Sequence, residues 1–314
     1  MKRTQYKAGI LGVAVLGTTV LVLGGAASAA PTVPTPVGLG AATSAAVLAG
    51  AGVTNTNPTT VTGDLGSAPT PALVGTGACP GANCVTYLAG GAHPDDAKAI
   101  QEKADADAAR NHTQSLGGAT AIAPQLGNTT AIAPGLYDVG TLTDISGTLH
   151  LDASGGPSSV WIFRAASSIT AETGSNFIFD NIPGGTTVAE LSCNVFWTAV
   201  SSVTLHTGSS FVGTALAQTS ITADAGVAVQ GRLFAGTGDV TLNSDNINSG
   251  NCVVLPAGTG GETGGTSGGS GSTLGGAAGA GGGVTASTAS TASAVSAGPA
   301  TAIAALPSAS GLTG

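Results

Sequence analysis

Charged and aromatic residues are scarce in this chain. Of its 314 residues, 8% are charged and 4% are aromatic, whereas charged residues make up about 25% of an average globular domain. Of the eight basic residues, three (Lys2, Arg3 and Lys7) lie in a predicted leader, so the remaining five face 16 acidic residues, a formal charge of −11. Nucleic-acid binding is disfavoured, because phosphate neutralisation needs clusters of Lys and Arg. No basic amphipathic stretch points to a membrane surface.

Catalytic motifs are also missing. The sequence contains no GxSxG, P-loop, HExxH or calcium-binding nonapeptide pattern. The four histidines are scattered along the chain: His93, His112, His150 and His206. Four acidic residues fall near predicted turns, where capping is their expected role: Asp152, Asp180, Asp224 and Asp239. We therefore expect neither enzymatic activity nor a cofactor or bound metal.

The four cysteines predict two disulfides. They are Cys79, Cys84, Cys193 and Cys252, and an exported chain keeps such residues oxidised. Three pairings are possible. We favour Cys79–Cys84, which closes a local loop, and Cys193–Cys252, which ties a repeated region to its own end. A zinc site is the alternative, but CxxxxC without a nearby histidine is a poor zinc pattern.

The two ends of the chain differ from its middle. Residues 1–30 have the pattern of a signal peptide, with a basic start, an apolar segment at 10–23 and the small-residue box Ala27-Ser28-Ala29. A transmembrane helix is the alternative, but the apolar segment is short. Residues 31–37 predict a proline-rich spacer, and residues 256–314, almost all Gly, Ala, Ser and Thr, predict a disordered tail that could act as a spacer to the cell surface. Residues 38–255 remain for one folded, extracellular domain.

Within that domain, four related blocks recur between Val160 and Asn248. They read SITAETGSNF (168–177), SVTLHTGSSF (202–211), SITADAGVAV (220–229) and DVTLNSDNIN (239–248), with starts 34, 18 and 19 residues apart. A unit of about 18 residues, built of short β-prone segments between Gly, Ser and Asn, is typical of a β-solenoid. The longer interval then contains an insertion near Asp180–Ser192. The 51 glycines suit the many turns of such a fold.

Each block also contains an apolar residue followed by a threonine. Because side chains alternate in a strand, Ile169, Val203, Ile221 and Val240 should point inward and the threonines outward, and stacking at about 4.8 Å places the threonines in one file. The file comprises Thr170, Thr204, Thr222 and Thr241. A second file is predicted three positions later, at Thr173, Thr207, Ala225 and Ser244, and Thr143 and Thr148 are expected to extend the surface. The alternative is a purely structural role, since threonine ladders stabilise sheets.

A second strand series is apolar at neighbouring positions. The segments begin at Trp161, Phe196, Leu216 and Leu233, so both of their sides should be buried. The only candidate cover is one long helix predicted over residues 94–112, where Asp95 and Asp96 suit its N-terminus. Its apolar stripe is predicted to be Ala97, Ile100, Ala104 and Ala108, and its solvent face Lys98, Glu102, Asp105 and Arg110. The threonine face is then left open to solvent.

The remaining predictions concern shorter segments. Near the N-terminus we expect strands at 53–56 and 59–62, a turn at 63–66 and a loop over 76–92. Farther along, we expect strands at 130–132, 135–139 and 142–151.

Six segments of the chain form a set that occurs in one known family. They are LGAATSAAVLAGAGVTNTNPTTVTGDLGSAP (39–69), the helix between Asp96 and Arg110, TAIAPGLYD (130–138), TLHLDASGGPSSVWIF (148–163), CNVFW (193–197) and FVGTALAQTSITADAGVAVQGRLFAGTGDVTL (211–242). In this order they resemble the microbial ice-binding-like proteins of the domain of unknown function DUF3494. The resemblance covers residues 39–252.

The resemblance implies an all-β fold: an irregular three-sided β-helix with one long α-helix packed alongside. It further implies N-terminal coils that need not stack in sequence order. For function, it implies a secreted, non-enzymatic protein that adsorbs to ice through a flat β-face. A loose T-A/G-x-T/N pattern of some members fits residues 170–173 fully and residues 222–225 in part.

The predicted ice-binding residues are Thr143, Thr148, Thr170, Thr173, Thr204, Thr207, Thr222 and Thr241. Glu172, His206 and Asp224 should share the outer face, and charged groups disfavour docking on ice because they retain their water. The alternative is therefore an extracellular structural or adhesive β-helix that binds a carbohydrate or a cell-surface partner. We expect a monomer in either case.

Overall fold

The computed structural model describes residues 34–250, which are mostly β-strand. The helical segments are the 3₁₀ turns Gly40–Thr43 and Gly156–Ser158 and the α-helices α1 (Ala97–Ser115) and α2 (Val188–Ser192). The strands of the first half are β1 (Ala45–Ala49), β2 (Gly52–Thr56), β3 (Thr59–Thr62), β4 (Asp64–Ser67), β5 (Leu73–Val74), β6 (Val85–Ala89), β7 (Ala92–Pro94), β8 (Thr120–Ala121), β9 (Gln125–Leu126), β10 (Gly135–Asp138) and β11 (Leu142–Ile145). Those of the second half are β12 (Thr148–Asp152), β13 (Trp161–Ala165), β14 (Ser168–Ala171), β15 (Asn176–Asp180), β16 (Val195–Ala199), β17 (Val203–Leu205), β18 (Ser210–Ala217), β19 (Ile221–Ala223), β20 (Ala228–Ala235), β21 (Asp239–Asn243) and β22 (Asn246–Asn248).

The described strands form three parallel sheets. An eight-stranded sheet has the order β5-β2-β21-β19-β17-β14-β11-β9, and β12 pairs only with β15. The twelve-stranded sheet has the path β6-β3-β22-β20-β18-β16-β13-β10-β8, with β1, β4 and β7 branching from β20. The early strands β2 and β3 lie beside the late strands β21 and β22, so the strands do not stack in sequence order.

Two long strands bend the twelve-stranded sheet. Gly213 in β18 and Gly231 in β20 have φ of 105° and 152°, a region that favours glycine. A Cβ on Gly231 would lie 1.9 Å from the backbone oxygen of Gly213. The residues of β20 before this glycine pair with β22, and those after it pair with β1. Each long strand therefore contributes to two parts of the sheet.

In the part of the sheet that follows Gly213 and Gly231, apolar side chains are buried on both sides. The inward cluster contains Phe163, Trp197 and Leu233 together with Ile169, Val203, Ile221 and Val240 of the eight-stranded sheet. The outward cluster contains Leu48, Leu136, Ile162, Phe196, Leu216 and Phe234, packed with Ala106 and Ala109 of α1. The prediction that these strands are buried on both sides under the helix is confirmed.

The helix itself differs from the prediction in its bounds and in its buried face. It begins at Ala97 instead of residue 94, because the Asp96 side chain caps it by accepting a hydrogen bond from the Ala99 amide at 2.8 Å. The predicted stripe of Ala97, Ile100, Ala104 and Ala108 is exposed. The buried residues are instead Ala99, Glu102, Lys103, Ala106, Ala109, Arg110 and Thr113.

Polar contacts explain why the charged face of the helix is the buried one. Ser44 donates a 2.6 Å hydrogen bond to Glu102, and Lys98 forms an ion pair with Asp64 at 2.5 Å. At the other end, Arg164 donates to the backbone oxygens of Thr113, Gln114 and Leu116, where a cation also complements the helix dipole. Strands β4 and β13 and the segment before β1 therefore supply partners that the helix sequence alone does not reveal.

Several shorter predictions are corrected. The predicted turn at 63–66 is largely strand β4, and the predicted loop over 76–92 contains β6. The predicted strand over 142–151 is two strands, because Gly147 adopts a φ of 68° between them. Residues 130–132 form only an isolated bridge from Ile132. The insertion near 180–192 is confirmed, and it contains α2.

The disulfide between Cys79 and Cys84 is present, with a Cα–Cα distance of 5.0 Å. The predicted Cys193–Cys252 pair involves a residue outside the described range, as do the predicted leader at 1–30 and the predicted tail at 256–314. Between residues 34 and 250, no helix is long and apolar enough to cross a bilayer.

Candidate functional site

Five threonines lie side by side across the eight-stranded sheet. Thr170 pairs with Thr204, Thr204 with Thr222 and Thr222 with Thr241, as the repeat predicts. Thr54 of β2 pairs with Thr241 and adds a fifth member. We call these five residues the threonine row. At a strand spacing of about 4.8 Å, the row spans about 19 Å.

The row faces outward because of strand alternation. The residues that precede its members, Val53, Ile169, Val203, Ile221 and Val240, are at most 1% exposed and belong to the interior cluster. A shift of one residue would bury the threonines and expose this apolar set. The apolar core therefore fixes the outward direction of all five hydroxyl and methyl groups.

Thr54 was not predicted to belong to this surface. Its local sequence, Val53-Thr54, repeats the Val-Thr pairs at 203–204 and 240–241. That match is the signal that could have found it. Thr54 lies outside the regular spacing of the repeat, because β2 belongs to the N-terminal part of the chain and pairs with β21.

The other predicted site residues take different positions. In β11, Asp144 and not Thr143 pairs with Thr170, whereas Thr143 pairs with Ile169 of the apolar set. Thr148 lies in β12, which pairs only with β15. The prediction that Thr143 and Thr148 extend the threonine surface is therefore corrected.

Thr173 and Thr207 are exposed in the turns that follow the row. Each precedes a glycine with φ of 67°, Gly174 or Gly208. In the last block, the position equivalent to these glycines is taken by Ser244, with φ of 56°. The Gly226 amide accordingly donates to the backbone carbonyl oxygen of Asn243, as the Gly208 amide donates to the backbone carbonyl oxygen of Ala225. The predicted second file is thus displaced by one residue at Ser244, because this turn is one residue shorter.

A serine row flanks the threonine row on one side. It consists of the residues two positions before the threonines of β14, β17 and β19, which are Ser168, Ser202 and Ser220. The Ile169 and Val203 amides donate to the backbone carbonyl oxygens of Ser202 and Ser220. All three serines are partly exposed. Asp239 continues this row opposite Gly52.

A partly charged row, the border row, flanks the other side. It stands two positions after the threonines and comprises Glu172, His206, Asp224, Asn243 and Thr56. His206 Nδ1 lies 2.8 Å from Asp224 Oδ2. As the alternation predicts, Glu172, His206 and Asp224 share the outer face with the threonines.

Asp245 fixes the corner beyond the border row. Its carboxylate accepts hydrogen bonds from the Val227 and Asn243 amides at 2.8 and 2.7 Å, and its own amide donates to Thr59 at 3.1 Å. Burial raises the pKa of Asp245 to about 7, although the two amide donors act in the opposite direction. Asp245 thus joins three segments of the chain that are neighbours in space, and it holds this edge of the surface in place.

The surface offers uncharged hydroxyl groups in a fixed array. No group of three or more His, Cys, Asp or Glu residues in the described part of the chain is arranged to hold a metal ion. A rigid array of alternating hydroxyls and methyls is suited to contact an ordered surface that presents both hydrogen-bond donors and acceptors.

Known proteins are similar to this chain in sequence and in fold. The sequence pattern of the ice-binding-like family matches residues 47–248. An ice-binding protein of Nostoc sp. (strain HG1) is 32% identical over 219 residues, covering 69% of this chain and 76% of that protein.

Solved structures of ice-binding proteins also align with this chain. The ice-binding protein of the Antarctic ascomycete Antarctomyces psychrotrophicus aligns with a TM-score of 0.61 and 31% identity, covering 69% of this chain and all of that one. An ice-binding protein from an Antarctic biological consortium aligns with a TM-score of 0.59 and 31% identity, covering 69% of this chain and 92% of that one.

Proposed function

The chain belongs to the ice-binding-like family, and on that premise we propose that it adsorbs to ice through the threonine row and so restrains crystal growth and recrystallisation. In this proposal the parallel sheets are the sides of an irregular three-sided β-helix. The eight-stranded sheet is the flat binding side, and α1 lies along another.

The observation that carries the proposal is the register of the threonine row. Its members are direct neighbours on successive strands. Ice is a neutral lattice of hydrogen-bond donors and acceptors, and a hydroxyl can both donate and accept. Because the strands fix the spacing before contact, little conformational freedom remains to be lost on adsorption.

The serine row widens this surface. The serines lie beside the threonines, so we propose that the ice contact includes both rows. Asp239, which continues the serine row, limits the contact on one side, and the border row limits it on the other. Thr173 and Thr207 stay in the proposal as peripheral contacts in the adjoining turns. The charged groups of the border row retain their water and set one limit of the contact.

The proposal includes export. The predicted signal peptide at 1–30 directs the chain out of the cell, where it acts as a monomer without enzymatic activity. Residues 38–255 form the ice-binding domain, and the predicted tail at 256–314 serves as a spacer. The favoured pairing of Cys193 with Cys252 ties the end of the domain to its middle.

Substitution of Thr222 tests the proposal. The variant Thr222→Tyr in the chain from residue 31 to 314 places a bulky ring at the centre of the row. We expect a several-fold loss of thermal hysteresis in a nanolitre osmometer and weaker inhibition of recrystallisation. Ala104→Tyr is the matched control, because Ala104 is exposed on α1. Circular dichroism should show both variants folded.

Two outcomes contradict the proposal. A wild-type protein that leaves ice crystals as round discs without hysteresis does not bind ice. An active wild type whose Thr222→Tyr variant keeps full activity binds ice elsewhere.

The pairing of His206 with Asp224 favours a second candidate, an adhesive β-helix. A charged edge beside a hydroxyl surface suits a carbohydrate or cell-surface partner. Binding of the wild type to an array of polysaccharides, together with absent hysteresis, would select this function.

A further inference from the structure

A second regular surface lies on the part of the twelve-stranded sheet that α1 does not cover. Six side chains form a grid of two rows on three neighbouring strands. Ala228, Asn246 and Thr60 are direct neighbours in one row, and Gln230, Asn248 and Thr62 in the other. We call these six residues the amide surface.

The same alternation that orients the threonines orients this grid. Val229, Ile247 and Val61, the residues between the two rows, are at most 2% exposed and pack in the interior cluster. All six members of the grid are partly or fully exposed. Strand geometry places neighbours about 4.8 Å apart across the strands and about 6.7 Å apart along them.

Side-chain contacts hold the second row in order. The Asn248 amide nitrogen donates to Gln230 Oε1 at 3.4 Å, and Asn248 Oδ1 accepts a hydrogen bond from the Gly250 amide at 3.0 Å. These contacts restrict the rotamers of two side chains that would otherwise be mobile. Two of the three side chains in this row are therefore constrained by contacts within the protein.

The grid contains no ionisable group. Its immediate neighbours across the strands, Ser210, Val212 and Thr86, are uncharged as well. The threonine surface, in contrast, is bordered by Glu172, His206 and Asp224. The amide surface thus lacks the feature that most weakens the threonine surface as an ice contact.

The chemistry of the grid also narrows the class of ligand. It has no aromatic residue, arginine or large apolar side chain, the residues that usually anchor protein partners. It has no charge to attract an ionic ligand. Amides and hydroxyls supply both donors and acceptors at regular intervals, which matches a neutral hydrogen-bonded lattice.

We propose that the amide surface is a second ice-adsorbing surface, not coplanar with the threonine row, so that the protein binds more than one set of ice planes. This inference rests on the proposed function. The two surfaces are separated by the border row and by a corner of the chain. At this corner Gly226 before β20, Ser244 before β22 and Asn57 before β3 have φ values of 75°, 56° and 64°. They would therefore meet an ice crystal in different orientations.

The test compares four variants of the chain from residue 31 to 314. Asn246→Tyr blocks the amide surface, Thr222→Tyr blocks the threonine row, a third variant combines them, and Ala104→Tyr is the control. The readouts are thermal hysteresis and the planes stained by fluorescently labelled protein on a single-crystal ice hemisphere. Ala228→Tyr, on an exposed residue of the same row, replaces Asn246→Tyr if the latter fails to fold.

We expect each single variant to lose a different set of stained planes and the combined variant to lose both. Wild-type staining and hysteresis in folded Asn246→Tyr, beside a reduced Thr222→Tyr, overturn this inference and leave the threonine proposal standing. An inactive wild type overturns both. If planes that depend on Asn246 appear only in a chain ending at residue 255, the C-terminal segment covers the surface in the full chain and the inference falls.

Discussion

The covered part of the twelve-stranded sheet and the open eight-stranded sheet differ most clearly in their outward side chains. Both use parallel strands with buried inward residues. On the covered sheet, the outward positions hold large apolar residues such as Ile162, Phe196 and Leu216, which pack against α1. On the open sheet, the equivalent positions hold threonines. Both sheets therefore contribute inward side chains to the core, but only the eight-stranded sheet leaves the outward side chains compared here free to present a surface.

The largest difference between the two sheets should appear in stability. Phe196 is 1% exposed between the sheet and α1, so Phe196→Ala leaves a cavity and should lower the free energy of unfolding by about 3–5 kcal/mol. Thr204→Ala on the open sheet should change it by less than about 1 kcal/mol, because its side chain is already partly solvated. Urea unfolding followed by circular dichroism measures both. Equal losses would contradict the division of roles.

The sequence predicts four of the five members of the threonine row but not the one at the β2 end. Thr170, Thr204, Thr222 and Thr241 follow from a local repeat whose spacing sets the register. Thr54 does not, because its place depends on pairing with Thr241, which lies 187 residues away in the sequence (241 − 54). Local periodicity carries no information about such long-range contacts.

The helix shows a second limit of sequence reasoning. Its existence and its covering role were predicted correctly, but its buried face was not. The prediction assumed that the alanine stripe packs inward. Burial of Glu102 instead depends on Ser44 and Lys98, and the position of Ser44 beside the helix is set by the tertiary fold. The same limit applies to Asp144, which replaces Thr143 opposite Thr170.

A smaller effect on stability is expected from Glu102, whose side chain is fully buried on the inner face of α1. Burial raises its pKa, as does the charge of Asp64, while the Ser44 hydrogen bond and Lys98 act in the opposite direction. Because the folded pKa lies above the unfolded one, the folded state binds the proton more tightly. The contribution of Glu102 to stability is therefore greatest in acid, and it falls as the pH rises from the ordinary pKa of 4.5 through the raised pKa.

Glu102→Gln removes this dependence. We expect the variant to gain stability over the wild type at pH 7 and to lose that advantage near pH 4. Thermal unfolding of both proteins across this range measures the difference, in which titrating groups that do not interact with Glu102 cancel. A constant difference at all pH values would show that Glu102 does not titrate differently in the folded state. Activity at the open sheet should stay unchanged.

The smallest effect is expected from removal of one charge beside the threonine row. Glu172 stands two positions after Thr170, and its carboxylate forms no hydrogen bond or ion pair within residues 34–250, whereas Asp224 is held by His206 at 2.8 Å. Glu172→Gln therefore removes a charge without leaving a partner unpaired, and it keeps the shape of the side chain. Because a carboxylate retains its water more strongly than an amide does, we expect a modest rise in thermal hysteresis with unchanged stability.

Asp95→Asn is the control, since it makes the same change of net charge near the start of α1, away from the open sheet. A rise of equal size in the control would assign the effect to net charge. A fall in the Glu172 variant alone would mean that this carboxylate belongs to the contact, so that the border row would no longer mark its limit.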